Sequence, residues 1–263
     1  MAATRRYYDH KANPETSGFL KSCLTVRRAS PTIELRNFHN DVKRQLLKSF
    51  CKPGDRLLDL GCGRGGDLQK WNAVGLGSVL GVDISPQEIQ EAEARRSNVQ
   101  GKTQVDFKVL DLSSKALDSE EPFDVVSCMF AIQYFFDGQD AMNAFFQTVS
   151  RNLKEGGIFI GTFPDGDNIS AFLGNRSVLE CSLFKIQRTT DQKIVFQIHD
   201  TVTDGGLEEF LVFKAMFLGV AEKHGLQCVS FERFQPGRNI RNPDLQVASS
   251  LFTSFAFVRG PKC

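Results

Sequence analysis

The chain has 263 residues, of which 41% are hydrophobic and 24% are charged, and its formal net charge is +1. This composition is typical of a soluble globular protein with one α/β domain and an insertion, and no apolar run is long enough to span a membrane. The near-neutral charge excludes a basic surface over the whole chain of the kind that many nucleic-acid-binding proteins carry. The seven cysteines lack the paired spacing of a zinc site, which indicates reduced thiols inside the cell.

The first elements follow from the spacing of the apolar residues. Residues 1–30 have few large apolar side chains and no clear period, so we predict a mobile N-terminal arm there and one folded domain over residues 31–263. Residues 32–50 are predicted to form an amphipathic helix, and a Pro-Gly-Asp turn follows it. Residues 57–60 then predict a short buried strand.

The elements that follow alternate between helices and strands, which predicts a parallel sheet with right-handed crossovers. In chain order they are helix 67–74, strand 78–82, helix 86–96, strand 107–111, strand 123–128, helix 140–153 and strand 158–162. Residues 164–222 interrupt the alternation with predicted strands 183–186 and 193–198 and a predicted helix 208–223. We expect this insertion to be a substrate lid, because open α/β sheets bind ligands at the carboxyl edge. Strands 226–231 and 251–258 are predicted to complete the sheet.

A glycine-rich loop, Gly61-Cys62-Gly63-Arg64-Gly65-Gly66, separates the first predicted strand from the next helix. Glycine has no Cβ, so the backbone can turn sharply here and a ligand can approach it closely. The second predicted strand is followed by Asp83, about 20 residues after the loop, where nucleotide-binding α/β folds place an acid that accepts hydrogen bonds from ribose hydroxyls. The pattern predicts a nucleotide-like cofactor at this loop.

Acidic residues beside the loop narrow the identity of that cofactor. Asp59 lies at the end of the first strand and Asp67 begins the next helix, and both would repel a pyrophosphate, which prefers a helix N-terminus with bare amides. They suit a cofactor that carries a cation, such as S-adenosylmethionine. Asp111, at the end of a third predicted strand, continues the series. An NAD-type enzyme and a glycine turn without a ligand are the less favoured alternatives.

Longer motifs extend these patterns on both sides of the loop. The run Leu35-Arg36-Asn37-Phe38-His39-Asn40-Asp41-Val42-Lys43 is similar to a Leu-Arg-Asn-Phe-Asn-Asn-Trp-x-Lys signature, and the loop continues through Gly65-Gly66-Asp67-Leu68-Gln69-Lys70-Trp71. Phe130, Tyr134, Gly161-Thr162-Phe163-Pro164 and Glu209-Phe210-Leu211-Val212 follow in the same order. With these motifs the chain resembles the messenger RNA cap guanine-N7 methyltransferases from about residue 28 to its end, more specifically before residue 164.

The resemblance implies a class I methyltransferase fold, which is an α/β, Rossmann-like architecture. Its mostly parallel, seven-stranded sheet would have helices on both faces and an inserted substrate lid. The implied cofactor is S-adenosyl-L-methionine, with S-adenosyl-L-homocysteine as the product. Within the cofactor site, Lys43 would meet the carboxylate and Asp111 the adenine amine. The implied cofactor contacts are Lys43, Asp59, Gly61, Gly63, Asp67, Asp83, Ile84, Asp111, Leu112, Met129 and Tyr134.

The same resemblance implies a set of substrate contacts. Guanine would lie against Tyr134, Glu209 and Phe252, and three basic residues would meet the phosphates of the cap. The full set is His39, Asn40, Arg64, Lys70, Arg95, Gln133, Pro164, Glu209 and Phe252, with Arg64, Lys70 and Arg95 as the phosphate contacts. Glu209 and Tyr134 are the implied catalytic residues and act by positioning the substrate. No metal is implied.

Several residues depart from the pattern of the family. Its second signature asparagine is His39 here, its tryptophan is Asp41, its histidine before the tyrosine is Gln133, and its C-terminal tyrosine is Phe252. A glutamine of the family is replaced by Met129. Most of these departures fall on the guanine side, so two alternatives stay open: a class I methyltransferase with another acceptor, and an inactive, cofactor-binding regulatory subunit.

The implied reaction transfers a methyl group to guanine N7, which carries a lone pair and no proton, so it needs no general base. The implied partner is the capped 5′ end of an RNA, with other capping enzymes or a recruiting subunit as further partners. Residues 21–70 contain eleven Lys and Arg against five acidic residues, a local excess that suits a polyphosphate. We expect a monomer without a membrane association, located in the nucleus, with the cytoplasm as the alternative.

Overall fold

The computed structural model describes residues 1–12, 29–201 and 203–261. A seven-stranded sheet forms the centre of the molecule, in the strand order β10-β11-β5-β4-β1-β2-β3. β11 runs antiparallel to both of its neighbours, β10 and β5, and the other neighbouring strands pair in parallel. These strands are β1 (Arg56–Leu60), β2 (Ser78–Asp83), β3 (Gln104–Val109), β4 (Phe123–Met129), β5 (Leu153–Pro164), β10 (Leu226–Arg233) and β11 (Phe252–Arg259).

Helices cover both faces of this sheet, as the alternating pattern predicted. Leu58 in β1 packs into a core with the helix after β4, whereas Leu57 on the opposite face packs into a core with Leu47 and Trp71. Both leucines are fully buried, which explains why β1 is apolar at nearly every position. The described helices are α1 (Ala2–Ala12), α2 (Ile33–Phe50), α3 (Leu68–Val74), α4 (Pro86–Arg96), α5 (Gly138–Asn152), α6 (Gly166–Leu173), α7 (Lys214–Lys223) and α8 (Pro243–Ser250).

The fold predicted from the sequence, a mostly parallel seven-stranded α/β sheet of the class I methyltransferase type, is confirmed. In the parallel register Asp59 of β1 lies beside Gly81 of β2 and Ser127 of β4. Since parallel strands end at one edge of the sheet, the glycine loop after β1, Asp83 at the end of β2 and the segment after β4 meet there. A 3-10 helix over Ile132–Phe135 follows β4 at this edge.

A second, antiparallel sheet is inserted after α6. Its strands are β6 (Val178–Glu180), β7 (Phe184–Thr190), β8 (Lys193–Ile198) and β9 (Glu208–Phe210), in that order across the sheet. Phe184 and Phe196 of this sheet share a hydrophobic core with Phe252 of the main sheet. The helix α7 returns to the main core through Phe217, so the inserted sheet ends before it.

The predicted helix over residues 208–223 is wrong in its first part. Glu208–Phe210 forms strand β9, and the helix begins only at Lys214. Pairing with β8 places Glu209 opposite Ile194, so tertiary pairing overrides the helical preference of the two glutamates. The predicted third strand also ends earlier than expected, at Val109, which leaves Asp111 in the turn beyond it.

The N-terminal segment differs from the prediction as well. Residues 1–12 include the helix α1, whereas the sequence predicted an arm without a period; residues 13–28 lie outside the described residues. The helix is held by polar contacts of its side chains, which no local apolar period could indicate. Ser85 donates from its hydroxyl to the Asp9 carboxylate at 2.6 Å, and the Tyr7 hydroxyl donates to the Asp204 carbonyl at 3.4 Å. Across the described ranges, no helix is both long and apolar enough for a membrane span.

Candidate active site

The glycine loop after β1 adopts backbone conformations that favour glycine. Gly61, Gly63 and Gly65 have φ angles of +77°, +50° and +67°. The amide of Gly61 donates to the Val82 carbonyl at 2.8 Å, which holds the loop against the end of β2. A Cβ built on Gly61 would lie 2.6 Å from the Cβ of Ala131, so the loop directly abuts the segment after β4.

We expect Gly61→Ala to weaken cofactor binding and to lower the free energy of unfolding by about 2 kcal/mol or more. The positive φ and the contact with Ala131 each add a cost, since an L-residue is strained there and the neighbour is a methyl group close to the backbone. Denaturant unfolding and calorimetric titration would measure both effects. Gly156→Ala is the matched control for φ, because its φ is +72° and nothing lies within 4 Å of the added methyl group. Equal losses in the two variants would contradict the steric argument.

A cavity of about 270 Å³ lies between the glycine loop, the end of β2 and the segment after β4. Asp83 lies at its edge, where its two oxygens accept from the Gly63 and Ser85 amides at 2.9 Å each. Burial raises the pKa of this carboxyl, against the effect of these amides. The described lining residues are Met1, Thr4, Tyr8, Lys43, Gly61, Cys62, Gly63, Arg64, Gly66, Asp67, Val82, Asp83, Ile84, Glu88, Leu110, Leu112, Met129, Phe130, Ala131, Tyr134 and Phe135.

A buried charge cluster closes one end of this cavity. The ammonium groups of Lys43 and Lys70 both lie 2.7 Å from Asp67 Oδ1. Burial alone would raise the pKa of Asp67, but the two ammonium groups outweigh it and hold that pKa below its ordinary value. The ion pair with Asp67 therefore holds the Lys43 ammonium group in position at the cavity wall.

Asp59 lies beneath the loop and is 3% exposed. Its carboxylate accepts from the Ser127 hydroxyl on β4. Burial, followed by the nearby charge of Asp67, raises the pKa of Asp59 to about 7. Asp59 therefore links the end of β1 to β4 through Ser127, and it is not among the described lining residues of either cavity.

A second cavity, of about 240 Å³, adjoins the first and shares Tyr8, Lys43, Phe130 and Tyr134 with it. Its wall is mainly aromatic and aliphatic, and part of it comes from β8. The described lining residues are Tyr8, Leu35, Arg36, His39, Asn40, Lys43, Phe130, Gln133, Tyr134, Pro164, Phe196, Ile198, Thr201, Thr203, Glu209 and Phe252. The two cavities are therefore adjacent, and the four shared side chains form the wall between them.

Glu209 is the buried carboxylate of the second cavity, with 3% of its surface exposed. The Tyr134 hydroxyl donates to its Oε1 at 2.8 Å. Burial raises the pKa of Glu209 to about 7, although hydrogen bonds from Tyr134 and Gln133 oppose this shift. The site therefore holds a carboxylate that changes charge near neutral pH and is aimed at an apolar, aromatic space.

Aromatic rings fill the opposite side of the second cavity. The His39 ring stacks on Phe130 with centroids 5.2 Å apart and meets Phe252 edge to face at 4.9 Å. His39 Nε2 lies 3.0 Å from the Ser249 hydroxyl. Burial, with the charge of Lys43 as a smaller effect, lowers the pKa of His39 to about 3, so the imidazole is neutral at physiological pH. A planar, uncharged surface results.

Most of the residues expected from the sequence lie around these two cavities. The first is lined by nine of the implied cofactor contacts, including Tyr134, and the second by His39, Asn40, Gln133, Pro164, Glu209 and Phe252. Those first-cavity residues are Lys43, Gly61, Gly63, Asp67, Asp83, Ile84, Leu112 and Met129; Tyr134 lines both. Arg64 lines the first cavity instead of the second and donates to both oxygens of Glu88.

Four other expected residues are not among the described lining residues: Asp59, Lys70, Arg95 and Asp111. Lys70 is engaged with Asp67, and Arg95 donates to Glu91 at 3.2 Å. The Asp111 carboxylate accepts from the amide and hydroxyl of Ser113 at 3.0 and 2.6 Å, and only its neighbours Leu110 and Leu112 reach the cavity wall. The early end of β3 explains this placement of Asp111.

The sequence analysis missed two groups of lining residues. Thr4 and Tyr8 come from α1, and Met1 lies directly before it, where no apolar period marked a helix. The second group comes from β8 and the loop after it, and consists of Phe196, Ile198, Thr201 and Thr203. The alternating pattern of β8 indicated that one of its faces is buried, but it did not indicate which cavity that face lines.

Comparisons with known proteins identify the family of this chain. The family model for the mRNA (guanine-N(7))-methyltransferase domain matches residues 13–240. The mRNA cap guanine-N(7) methyltransferase of Saccharomyces cerevisiae is 29% identical over 290 residues, which cover 88% of this chain and 65% of that protein. The enzyme of the same name from Candida glabrata is 39% identical over 155 residues, which cover 54% of this chain and 36% of that protein.

Among solved structures, the S-adenosylmethionine-dependent methyltransferase of Clostridium acetobutylicum has a TM-score of 0.57 and 18% identity, with 90% of this chain and 95% of that chain covered. This likeness concerns the fold. The chain spans 35–65% of the length of the first three curated relatives. Because the family model covers most of the sequence, this chain belongs to the mRNA (guanine-N(7))-methyltransferase family.

Proposed function

We propose that this protein transfers a methyl group from S-adenosyl-L-methionine to N7 of the guanosine cap at the 5′ end of an RNA. The observation that carries the proposal is the pair of adjoining cavities, one beside a glycine loop and strand-end carboxylate, the other with a buried carboxylate in aromatic walls. Family membership and the names of the relatives support the same reaction. The product of the cofactor is S-adenosyl-L-homocysteine.

The first cavity fits such a cofactor. Because residue 61 is glycine, its backbone forms part of the cavity wall; a Cβ at this position would collide with Ala131. Asp83 offers the remaining lone pairs of its carboxylate to ribose hydroxyls, and Ile84 and Leu112 offer apolar surface to an adenine ring. Lys43 supplies a positive charge for the cofactor carboxylate. When bound, the cofactor supplies an electrophilic methyl group on its sulfonium.

The second cavity fits a guanine base. The Watson–Crick edge of guanine presents the N1–H and N2–H donors, and an ionised Glu209 is an acceptor for both. The rings of Phe252 and Tyr134 offer faces and edges for stacking on a planar base. Neutral His39 adds no charge that would repel a methylated, cationic ring. In this arrangement Arg36 and Asn40 on α2 line the same cavity, where they would meet the ribose and phosphates.

The reaction requires positioning more than acid–base chemistry. Guanine N7 holds a lone pair and no proton, so no side chain has to remove one. Holding nucleophile and electrophile in a near-attack geometry can supply roughly 7–11 kcal/mol of the barrier. Tyr134 lines both cavities and hydrogen-bonds Glu209, so it fixes the base relative to the cofactor. Glu209 also stabilises the positive charge that develops on the ring.

We expect kcat/KM for capped RNA to rise with pH through about 7 and to level off above it, because Glu209 must be ionised to accept from guanine and its pKa is raised to about 7. A protonated Glu209 offers guanine one acceptor fewer and no charge. Initial rates between pH 5.5 and 9 would measure the profile. Asp59 titrates in the same range, so Asp59→Asn is the control and should retain the rise. A flat profile in the wild type would contradict the role of Glu209.

The direct test is incubation of GpppN-capped RNA with methyl-labelled S-adenosylmethionine, followed by nuclease digestion and identification of N7-methylguanosine. GTP, uncapped RNA and ApppN-capped RNA serve as controls. We expect label at N7 of the cap guanosine alone. Cofactor binding without transfer to any capped RNA would indicate an inactive subunit, and transfer to uncapped RNA would indicate another acceptor.

The proposal extends to partners and location. The protein acts on nascent capped transcripts in the nucleus, as a monomer that associates with other capping enzymes or a recruiting subunit. The near-neutral charge of the chain supports a recruiting subunit, because it gives little general affinity for the RNA body. Sedimentation of the purified protein, and retention on capped RNA with and without nuclear extract, would test these points.

A further inference from the structure

The N-terminal helix α1 lies at the junction of the two cavities. Thr4 and Tyr8 of α1 line the first cavity, and their spacing of four residues places them on one helical face; Met1, directly before the helix, lines the same cavity. Tyr8 also lines the second cavity. The helix is tied to the cofactor side by the bond between Ser85 and Asp9.

The Tyr8 hydroxyl enters a chain of hydrogen bonds that ends on Glu209. It lies 2.9 Å from the Tyr134 hydroxyl, which lies 2.8 Å from Glu209 Oε1. The rings of the two tyrosines meet edge to face with centroids 6.1 Å apart. Tyr8 therefore reaches the guanine-side carboxylate through one intervening side chain.

The donor and acceptor of each of these two hydrogen bonds follow from the number of protons available. An ionised carboxylate can only accept, so the single hydroxyl proton of Tyr134 must go to Glu209. The oxygen of Tyr134 is then free to accept, and the only proton that can occupy the bond between the two tyrosines is that of Tyr8. The order is Tyr8 to Tyr134 to Glu209, and each donor strengthens the next bond by polarising it.

We propose that Tyr8 is a positioning residue for methyl transfer: its hydroxyl holds the proton of Tyr134 on Glu209, so that the docked N-terminal helix completes the guanine-binding cavity. This inference rests on the proposed function. It assigns to α1 a role in the chemistry of the acceptor side, in addition to its place over the cofactor cavity. Because Tyr8 touches both cavities, the orientation of Glu209 becomes dependent on the docking of α1.

The electrostatic surroundings of Glu209 are consistent with this coupling. Burial raises the pKa of Tyr7 to about 12, and the charge of Glu209 is the next cause, so both tyrosines of α1 lie within its field. The other titratable or charged groups around the cavity are His39, Arg36 and Lys43 from α2 and Tyr134 from the 3-10 helix. Asp204, beside Tyr7, adds a further negative charge. Removal of the Tyr8 hydroxyl leaves these groups in place.

The test compares Tyr8→Phe with Tyr7→Phe, a matched variant that removes one hydroxyl from the next residue, which lines neither cavity. We expect Tyr8→Phe to lower kcat/KM for GpppN-capped RNA by about tenfold, with cofactor Kd unchanged, and to move the lower limb of the pH–rate profile up by ~0.5 pH unit or more. Tyr7→Phe removes the 3.4 Å bond to the Asp204 carbonyl and keeps the Tyr8–Tyr134–Glu209 hydrogen bonds, so we expect its kcat/KM and pH–rate profile to stay closer to those of the wild type than those of Tyr8→Phe do. Thermal unfolding and cofactor titration show whether each variant is folded.

A second readout does not depend on activity. The carboxyl carbon resonance of Glu209, assigned by its loss in Glu209→Gln, is titrated in ¹³C-glutamate-labelled wild type and both tyrosine variants. A higher pKa of Glu209 in Tyr8→Phe alone supports the coupling. Identical titrations and identical pH–rate profiles in folded Tyr8→Phe and wild type would overturn it, and would leave the proposed function standing. If the wild type methylates no capped RNA, the proposed function fails and the role of Tyr8 in transfer fails with it, whatever the titration shows.

Discussion

Glu209→Gln is expected to reduce methyl transfer to capped RNA by about 100-fold or more, with cofactor affinity unchanged. Removal of one preorganised group that stabilises transition-state charge costs on the order of 10²–10³ in kcat in other enzymes. Glutamine keeps the shape of the side chain and still accepts from Tyr134. It replaces one acceptor of the guanine edge with a donor and removes the negative charge that offsets the charge on the ring.

The same substitution is expected to stabilise the fold at alkaline pH. The pKa of Glu209 is about 7 in the folded protein, against an ordinary value of 4.5, because burial disfavours its charge. The folded state thus binds the proton more tightly, and the free energy of unfolding falls as pH rises from about 4.5 through about 7. At pH 8 this cost is on the order of 3 kcal/mol, and glutamine removes it. If Glu209 has the proposed role, the charge that guanine binding requires is also the charge that lowers the stability of the fold.

Denaturant unfolding of wild type and Glu209→Gln at pH 5 and pH 8, together with cofactor calorimetry and methyl-transfer rates, would check both expectations. Glu208→Gln is the matched control, since Glu208 is the exposed neighbour on β9 and bonds to Lys193 and Thr189 outside the cavities. A variant that loses cofactor affinity and activity equally would place Glu209 outside the guanine site. A stability difference that is the same at both pH values would contradict the linkage argument.

Asp83→Ala is expected to weaken cofactor binding by about 100-fold or more. Hydrogen bonds to a charged group contribute about 1.5–3 kcal/mol each, and a carboxylate that binds both ribose hydroxyls makes two of them. The variant also loses the acceptors for the Gly63 and Ser85 amides, which hold the loop and the start of α4 in place. Ligand contact and loop order are therefore lost together.

Calorimetric titration of S-adenosylmethionine and S-adenosylhomocysteine would measure this loss. Asp118→Ala is the control, because Asp118 is an exposed acid whose nearest described charge is Arg151 at 3.6 Å. Unfolding without cofactor separates the two causes, since a disordered loop lowers stability and a lost ribose contact does not. Unchanged affinity for both ligands would remove Asp83 from the cofactor site.

The glycine loop after β1 and the position of Asp83 at the end of β2 could be predicted from the sequence because their determinants are local. Backbone turns with positive φ favour glycine, so the residue types at positions 61 and 63 already indicate the turn that the loop makes. Asp83 lies at the end of a strand of the parallel sheet, and parallel strands bring such ends to one edge. The expected strand-end position of Asp111 was wrong, because β3 ends two residues before it, at Val109. The Asp111 carboxylate accepts a hydrogen bond from the Ser113 hydroxyl instead.

The second cavity, which we propose for the acceptor, depends on contacts between segments far apart in the chain. Glu209 reaches its place through the pairing of β9 with β8, where the local sequence favours a helix. Tyr8 is 126 residues from Tyr134, with which it shares a hydrogen bond. Burial, and so the pKa values of Glu209 and His39, is likewise a property of the packed structure and not of the residue type.

The class of fold, the place of the glycine loop and the family could therefore be inferred without a structure, because periodicity, glycine positions and strand-end acids are short-range signals. Three features became visible only in the folded protein: α1 contributes to the first cavity, Tyr8, Tyr134 and Glu209 are connected by hydrogen bonds, and the two cavities share lining residues. Those features arise when distant segments exclude water together, and no local pattern encodes which segments will meet.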